Sequence, residues 1–225
     1  MIELYKVAAY AVLVAALFFV GELIRKTGKT EPEFTRKLAH ISCGLVGISF
    51  IYTFNEVWAV ALLTGLFALV LYISQKRKTL NSIHGVSRET YGAPLFPVAV
   101  GICFYLQNAL QLQAVYVTAL LTLSLADPAA AITGSRFPLK PFREIKVLNA
   151  TELRNKSVGG CIGFLLTALL IAIAFACLSD AGSFSFGAAC FAAFAAMLAE
   201  ALSIKGTDNL NIPVIYMLSY SLILN

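Results

Sequence analysis

Charged residues are scarce in this chain of 225 residues: Asp, Glu, Lys and Arg make up 13%, whereas 59% of the residues are hydrophobic. A soluble domain has roughly a quarter charged residues and about half apolar residues. The composition therefore excludes an ordinary soluble domain and predicts an integral membrane protein. The net charge of +5 does not indicate nucleic acid as a partner, because the basic residues lie between apolar segments.

Metal-binding and nucleotide-binding signatures of soluble enzymes are also missing. The chain has two His and five Cys, and the Cys lie in apolar stretches without any C-x-x-C pair. This pattern is typical of small buried apolar residues and argues against a structural zinc site. The absence of a G-x-x-x-x-G-K-[ST] sequence excludes a P-loop.

Long apolar segments are what the chain has in abundance. There are eight, each about long enough to span a bilayer, and their approximate bounds are 4–24, 38–54, 57–74, 93–110, 115–133, 158–178, 184–202 and 210–224. The eighth is short, and seven segments would remain without it. The predicted fold is all-α: a polytopic membrane helix bundle of about eight (seven to eight) transmembrane helices that forms one integral membrane domain over 1–225.

Positive charge is concentrated in alternate connections, at about 25–37, 75–92, 135–157 and 203–209. Cytoplasmic loops of membrane proteins carry an excess of Lys and Arg. We therefore expect these four loops, and an active site near them, to face the cytoplasm, with both termini outside. The membrane would be the cell membrane in a prokaryote. The sequence leaves open whether the protein forms a homo-oligomer.

A carboxylate and a proline adjoin inside the fifth segment, at Asp127 and Pro128. An ionised carboxylate near the centre of a membrane helix costs on the order of 3 kcal/mol or more. Pro128 has no N–H to donate to the carbonyl of Ser124. Together these residues predict a helix break that faces a polar cavity. The alternative is a kinked helix in which Asp127 pairs with a neighbouring Lys or Arg.

Basic residues precede the second and fourth segments. Arg36, Lys37 and His40 begin the second segment at helical spacing, which suits phosphate binding or proton transfer. Membrane-surface anchoring is the alternative. Ahead of the fourth segment, Arg88 would clamp a phosphate and Tyr91 would stack or hydrogen-bond. An interfacial Arg and Tyr would look the same in the sequence.

The sixth segment begins with Lys156 and Ser157, followed by Gly159 and Gly160. Ser157 is a suitable helix cap, and the first N–H groups of a helix attract anions. The pattern predicts a phosphate cradle with Lys156 as its cation. The glycines could instead serve helix packing alone.

Two more carboxylates, Glu200 and Asp208, lie where the seventh segment ends and the eighth begins, with Asn209 beside them. Mg²⁺ is usually bound by one or two carboxylates together with substrate phosphates. Asp127, Glu200 and Asp208 are therefore the predicted metal ligands, although Asp208 could be a simple loop charge.

Four blocks of the sequence resemble, in the same order, those of the CTP-dependent polyprenol and phytol kinases, which include dolichol kinase. The blocks are 36–40, 88–92, 126–134 and 156–160, with a weaker fifth at 200–213. The third and fourth blocks also resemble those of phosphatidate cytidylyltransferases.

The resemblance implies a membrane lipid kinase that transfers the γ-phosphate of CTP, or of another nucleoside triphosphate, to an isoprenoid alcohol such as phytol, geranylgeraniol or a polyprenol. It also implies Mg²⁺ as cofactor. The first alternative is a phosphatidate cytidylyltransferase that makes CDP-diacylglycerol, and an alternative of another class is a small membrane transporter. The lipid is expected to enter beside the Ala- and Gly-rich sixth and seventh segments.

In the kinase hypothesis each candidate residue has an expected role. His40 or a carboxylate would accept the alcohol proton. The expected catalytic residues are Asp127, His40, Lys37 and Arg36. The expected nucleotide- and phosphate-binding residues are Arg88, Tyr91, Gly134, Arg136, Lys156, Ser157, Gly159 and Gly160. The metal ligands are those given above, and Asn209 is a further candidate.

Overall fold

The computed structural model describes residues 1–28, 30–85, 90–141, 156–179 and 184–224. These residues form eight long helices and one short one, without β-strands. In chain order the helices are α1 Ile2–Gly28, α2 Pro32–Thr53, α3 Val57–Lys76, the short α4 Asn81–His84, α5 Gly92–Leu110, α6 Gln113–Arg136, α7 Val158–Leu178, α8 Phe186–Leu202 and α9 Asp208–Leu224.

The structure confirms the predicted all-α, polytopic membrane bundle. Each of the eight apolar segments coincides with one long helix. Among the described residues, five helices are long and apolar enough to cross a membrane, namely α1, α3, α5, α6 and α7. Helices α8 and α9 have 17 residues each, and α2 carries charged residues in its first two turns. That α2, α8 and α9 also span the membrane stays a prediction.

Small side chains let the central helices approach each other closely. One face of α8 consists of alanines with no exposed surface, namely Ala188, Ala189, Ala192, Ala193 and Ala196. Membrane helices associate through such small residues, because close backbone approach increases van der Waals contact. Helix α8 accordingly packs along both α7 and α9. Large buried aromatic side chains, Phe104, Tyr116, Phe164, Tyr216 and Tyr220, fill the remaining core.

The predicted helix break at Asp127 is wrong, because α6 continues through Pro128. Immediately before it, Thr122–Ala126 forms a π-helical segment, and Asp127 itself has ordinary helical angles, with φ −64° and ψ −50°. A π segment contains one extra residue per turn and is frequent at functional sites. The wider turn accommodates the missing N–H of Pro128 without ending the helix.

Helix α2 lies directly against this π segment. Gly44 is buried there, and a Cβ at this position would collide with the side chain of Ser124. One turn further along α2, the Tyr116 hydroxyl donates a 2.7 Å hydrogen bond to the carbonyl of Gly47. These contacts fix α2, and with it the residues at its N-terminal end, against the middle of α6.

We expect Gly44→Ala to lower the thermal unfolding midpoint of the purified protein. The added methyl group would push α2 from the π segment, and such overpacking typically costs about 1–3 kcal/mol. Gly65→Ala is the matched control, because Gly65 lies in the middle of α3 and its Cβ would meet nothing within 4 Å. Equal unfolding midpoints for the two variants would contradict the close contact between α2 and α6.

Candidate active site

A cavity of about 1080 Å³ lies at the end of the bundle where α2, α5, α7 and α9 begin and α6 and α8 end. Ligand pockets usually have volumes of about 300–1,000 Å³, so this one has room for more than one small substrate. Most of the predicted site residues line it. These are Arg36, Lys37, His40, Asp127, Gly134, Lys156, Ser157, Gly160, Glu200, Asp208 and Asn209.

Three of the other four predicted residues do not line the cavity. Arg88 lies outside the described residues. Tyr91 is 48% exposed and lines a separate apolar pocket with Tyr72 and Pro94. Arg136 is exposed at the end of α6 and is absent from the lining, as is Gly159. A role for Tyr91 or Arg136 at the cavity gains no support from this geometry.

The Lys156 ammonium group connects the helix ends around the cavity. It forms an ion pair with the buried Glu200 carboxylate at the end of α8 and lies 3.8 Å from the Asp208 carboxylate at the start of α9. It also attracts Asp127 of α6 electrostatically. One cation therefore balances carboxylates from three helices.

These carboxylates keep Lys156 charged. Burial alone would lower the pKa of Lys156, but Glu200 and then Asp208 outweigh burial, and the pKa is raised above its ordinary value. Burial disfavours the charged form of a group, whereas a nearby opposite charge favours it. Lys156 is therefore a permanent positive charge in the cavity at physiological pH.

Asp127 is available to a ligand. Among the described residues none forms a hydrogen bond or ion pair with its carboxylate, which lines the cavity. It is repelled by Asp208 and attracted by His40, Lys156 and Arg36. The alternative in which Asp127 is paired with a neighbouring Lys or Arg therefore does not apply in the described part of the chain.

The predicted trio of metal ligands is only partly assembled. Within the described ranges, no group of three or more His, Cys, Asp or Glu residues is placed to hold a metal ion. All three carboxylates line the cavity, but Glu200 is directly engaged by Lys156, whereas Asp127 and Asp208 are close enough to repel each other. Since Mg²⁺ needs only one or two carboxylates when phosphates complete its shell, Asp127 and Asp208 fit that requirement better than Glu200.

His40 is held in one orientation by the π segment of α6. Its Nε2 lies 3.0 Å from the carbonyl of Leu123, and its ring meets that of Phe96 edge to face, with centroids 4.9 Å apart. A carbonyl only accepts, so Nε2 carries the hydrogen. Pro128, five residues after Leu123, has no N–H to bond to that carbonyl in a π-type turn. His40 supplies the missing donor, and its Nδ1 is the acceptor when the ring is neutral.

The start of α7 is a closed helix end rather than an open anion cradle. Its first N–H groups already have acceptors: Val158 donates to the Lys140 carbonyl at 3.1 Å and Gly159 to the Pro138 carbonyl at 3.2 Å. Gly160 donates to the Ser157 side chain at 3.2 Å. Ser157 thus caps the helix, as its position in the sequence indicated, but these backbone donors are not available to a phosphate.

The glycines around this helix end allow close packing. A Cβ on Gly159 would collide with the carbonyl of Phe137, and one on Gly160 would lie 3.2 Å from the Ala130 carbonyl. A Cβ on Gly134 would lie 3.1 Å from the Ser157 hydroxyl. The packing alternative is therefore supported, and Lys156 is the element of the predicted cradle that remains available for a phosphate.

Asn209 fastens the start of α9 to the start of α5. Its side-chain amide donates to the Gly92 carbonyl at 2.8 Å, and the Tyr91 N–H donates to the Lys205 carbonyl at 2.8 Å. Between them Gly206 adopts φ +84°, a conformation that favours glycine. The sequence selected Asn209 as a candidate but did not reveal its role, which is to hold Asp208 at the rim of the cavity.

His84 of the short helix α4 lines the cavity although the sequence gave no reason to select it. Its Nε2 lies 2.8 Å from the Ser74 hydroxyl, and burial lowers the pKa of His84. Glu22 accepts a 2.6 Å hydrogen bond from the Ser82 N–H, rather than pairing with a lysine or arginine of its own helix. Only contacts between distant parts of the chain reveal this arrangement.

The fold and the cavity define a class of protein: a polytopic helical membrane protein with a charged cavity at one end of the bundle. No family model matches the chain, and no solved structure matches it. Over 212 residues the chain is 24% identical to a phytol kinase from Synechocystis sp.. The matched region covers 91% of this chain and 85% of that protein. The match supports a relationship to phytol or polyprenol kinase-like proteins, and it does not favour a cytidylyltransferase or a transporter.

We expect Lys156→Met to destabilise the protein, because it leaves the Glu200 carboxylate buried without its partner. Breaking a buried ion pair from one side costs about 3–5 kcal/mol. The double variant Lys156→Met/Glu200→Gln should recover most of that loss. The measurement is thermal unfolding in detergent, with Lys26→Met, on an exposed part of α1, as control.

The ion pair also predicts how stability depends on pH. Because the pKa of Lys156 is raised on folding, its contribution is complete below the unfolded lysine value of about 10.4 and falls as pH rises through the folded value. If Lys156→Met and Lys156→Met/Glu200→Gln had the same unfolding midpoint, a structural role for the pair of Lys156 and Glu200 would be contradicted.

Proposed function

We propose that the protein is a membrane lipid kinase that transfers the γ-phosphate of CTP, or of another nucleoside triphosphate, to an isoprenoid alcohol. The observation that carries the proposal is the cavity itself, which combines cations, free carboxylate oxygens and a histidine at one end of a membrane bundle. The phytol kinase from Synechocystis sp. supports an isoprenoid alcohol as the acceptor.

Cations in the cavity would bind the triphosphate. Arg36, Lys37 and Lys156 reach it from two different helix ends, and Arg36 is additionally held by Glu33, with 3.6 Å between Nε and Oε2. Phosphoryl transfer depends almost entirely on positioning and on stabilising charge. Three positive charges at one cavity, two of them held by carboxylates, are therefore the kind of environment that the reaction requires.

Asp127 and Asp208 would hold Mg²⁺, which would neutralise charge on the phosphates when bound. Glu200 would act indirectly by fixing Lys156. This division of roles follows from the contacts in the cavity: the Lys156 ammonium group contacts Glu200 directly and lies 3.8 Å from Asp208, and no described residue forms a hydrogen bond or ion pair with Asp127.

The proposed phosphoryl transfer forms one bond, breaks one bond and moves one proton. The alcohol oxygen attacks the γ-phosphorus, the bond from that phosphorus to the β–γ bridging oxygen breaks, and the nucleoside diphosphate leaves. The alcohol proton goes to Nδ1 of His40, the acceptor nitrogen of the ring when Nε2 donates to Leu123. The product is an isoprenyl monophosphate.

The direct test uses purified protein in lipid nanodiscs with Mg²⁺, CTP labelled at the γ-phosphate and a panel of isoprenoid alcohols, with phosphatidic acid as a parallel acceptor. Label in an isoprenyl phosphate is expected, and UTP, GTP and ATP as competitors would rank the donors. Transfer of cytidylate from α-labelled CTP to phosphatidic acid, without isoprenyl phosphate, would contradict the proposal in favour of a cytidylyltransferase.

Asp127→Asn should abolish this activity, with a loss on the order of a hundredfold or more, while the unfolding midpoint stays near that of the wild type. The substitution keeps the shape of the side chain and removes its charge. Glu56→Gln is the matched control, since Glu56 is an exposed carboxylate at the start of α3 and does not line the cavity. Wild-type turnover by Asp127→Asn would remove Asp127 from the catalytic set.

A further inference from the structure

The cavity has an apolar side as well as a charged one. Its charged residues come from the start of α2, the second half of α6 and the ends of α7, α8 and α9. Helices α1 to α5 contribute apolar lining residues, and α6 and the connection after α8 add Pro128, Ala130, Ala131 and Ile204. The larger apolar lining residues on α1 to α5 are Phe18, Cys43, Leu71, Ile83 and Phe96, and together with Ala93 they form a set that we call the apolar arm.

Most of the apolar arm rests on a hydrophobic cluster of its own, whereas Phe96 belongs to the main core. Phe18, Leu71 and Ile83 pack with Val14 in a group that is separate from the main core of the bundle. Cys43 and Ala93 pack against the same group. The arm is thus a lined extension of the cavity and not a gap between poorly packed helices.

The short helix α4 closes one side of the arm and is firmly tethered. The Thr35 hydroxyl donates to the Ser82 carbonyl at 2.8 Å, and Glu22 accepts from the Ser82 N–H at 2.6 Å. Arg25 also contacts the carbonyl of Asn81. These bonds from α1 and α2 hold Ile83 in place at the wall.

Phe96 connects the apolar arm to the part of the cavity that contains His40 and Asp127. It is 8% exposed, lines the cavity, and meets the ring of His40 at 4.9 Å between centroids. His40 in turn is attracted to Asp127. A molecule with an apolar chain and a terminal hydroxyl would therefore place the hydroxyl by His40 while its chain follows the arm.

The helices beside which the lipid is expected to enter contribute little to the cavity. The Ala- and Gly-rich sixth and seventh segments correspond to α7 and α8. From these helices only Gly160 and Glu200 line the cavity, both at the charged end. The small residues of α8 are instead buried in helix packing.

We propose that the apolar arm binds the isoprenoid chain of the alcohol and that its far end, formed by Phe18 and Leu71, sets the preferred chain length. This inference rests on the proposed kinase function and specifies its acceptor subsite. An apolar pocket binds an apolar chain in proportion to the surface that both bury. A chain that fills the arm as far as its end is therefore preferred to a shorter one.

Two substitutions should change the chain-length preference in opposite directions. Phe18→Ala lengthens the arm and should favour a long polyprenol over geranylgeraniol, while Ala93→Leu narrows it and should reduce kcat/KM for geranylgeraniol more than for geraniol. We expect the ratio of the kcat/KM values for the longer and the shorter alcohol to shift by about tenfold in each variant. A small change in an apolar pocket produces an effect of this size. Phe19→Ala is the matched control, because Phe19 is 70% exposed on α1 and does not line the cavity.

The kinetic outcomes separate the two proposals. Phosphorylation with the same chain-length ratios in the wild type, Phe18→Ala and Ala93→Leu would overturn the arm and leave the kinase function intact. No phosphorylation of any alcohol with any nucleotide would overturn the proposed function. Changed ratios in both variants, with Phe19→Ala like the wild type, would support the arm.

A binding experiment tests the arm without turnover. A geranylgeraniol analogue with a photoreactive group at the end of its chain is crosslinked to the wild-type protein in nanodiscs, and the site is mapped by mass spectrometry. Labelling of α1, α3 or α4 near Phe18, Leu71 and Ile83 that excess geranylgeraniol prevents is the expected result. Labelling confined to α7 and α8, or none that geranylgeraniol prevents, would overturn the inference.

Discussion

The ion pair between Lys156 and Glu200 is the interaction on which the site depends. Three carboxylates from α6, α8 and α9 would repel one another at the end of a membrane bundle, and the desolvation of each is costly. The ammonium group of Lys156 contacts Glu200, lies near Asp208 and attracts Asp127. Lys156 thus holds the helix ends together and also places a positive charge in the cavity. The stability of the site and the proposed chemistry therefore depend on the same residue.

The π segment of α6 provides the second constraint. Pro128 has no N–H to bond to the Leu123 carbonyl in a π-type turn, and the ring of His40 on α2 bonds to that carbonyl instead. Gly44, one turn further along α2, lets the two helices approach closely enough for this bond. The π segment would weaken an isolated helix, but here it orients His40 beside Asp127. In the described part of the chain, Asp127 is the cavity carboxylate without a hydrogen-bond or ion-pair partner.

Local sequence patterns were sufficient for the helices and for most of the cavity. Apolar runs and charges at their ends are local signals, so Arg36, His40, Asp127, Lys156 and Asp208 could be selected without a structure. Which residues line a cavity is not a local property: Tyr91 and Arg136 have suitable chemistry but do not line this one. The bond between His40 and Leu123 joins residues 83 positions apart, and the tether of α4 to Glu22 joins residues 60 apart. No periodicity reveals contacts of that kind.

The central claim is that one cavity binds the nucleotide and the alcohol together. The most direct measurement is an experimental structure of the protein with a non-hydrolysable CTP analogue, Mg²⁺ and geranylgeraniol. We expect the triphosphate beside Lys156 and Asp127, the hydroxyl group next to His40, and the chain running past Phe96 towards Phe18. A nucleotide bound elsewhere, for example beside Tyr91 in the separate apolar pocket, would contradict it.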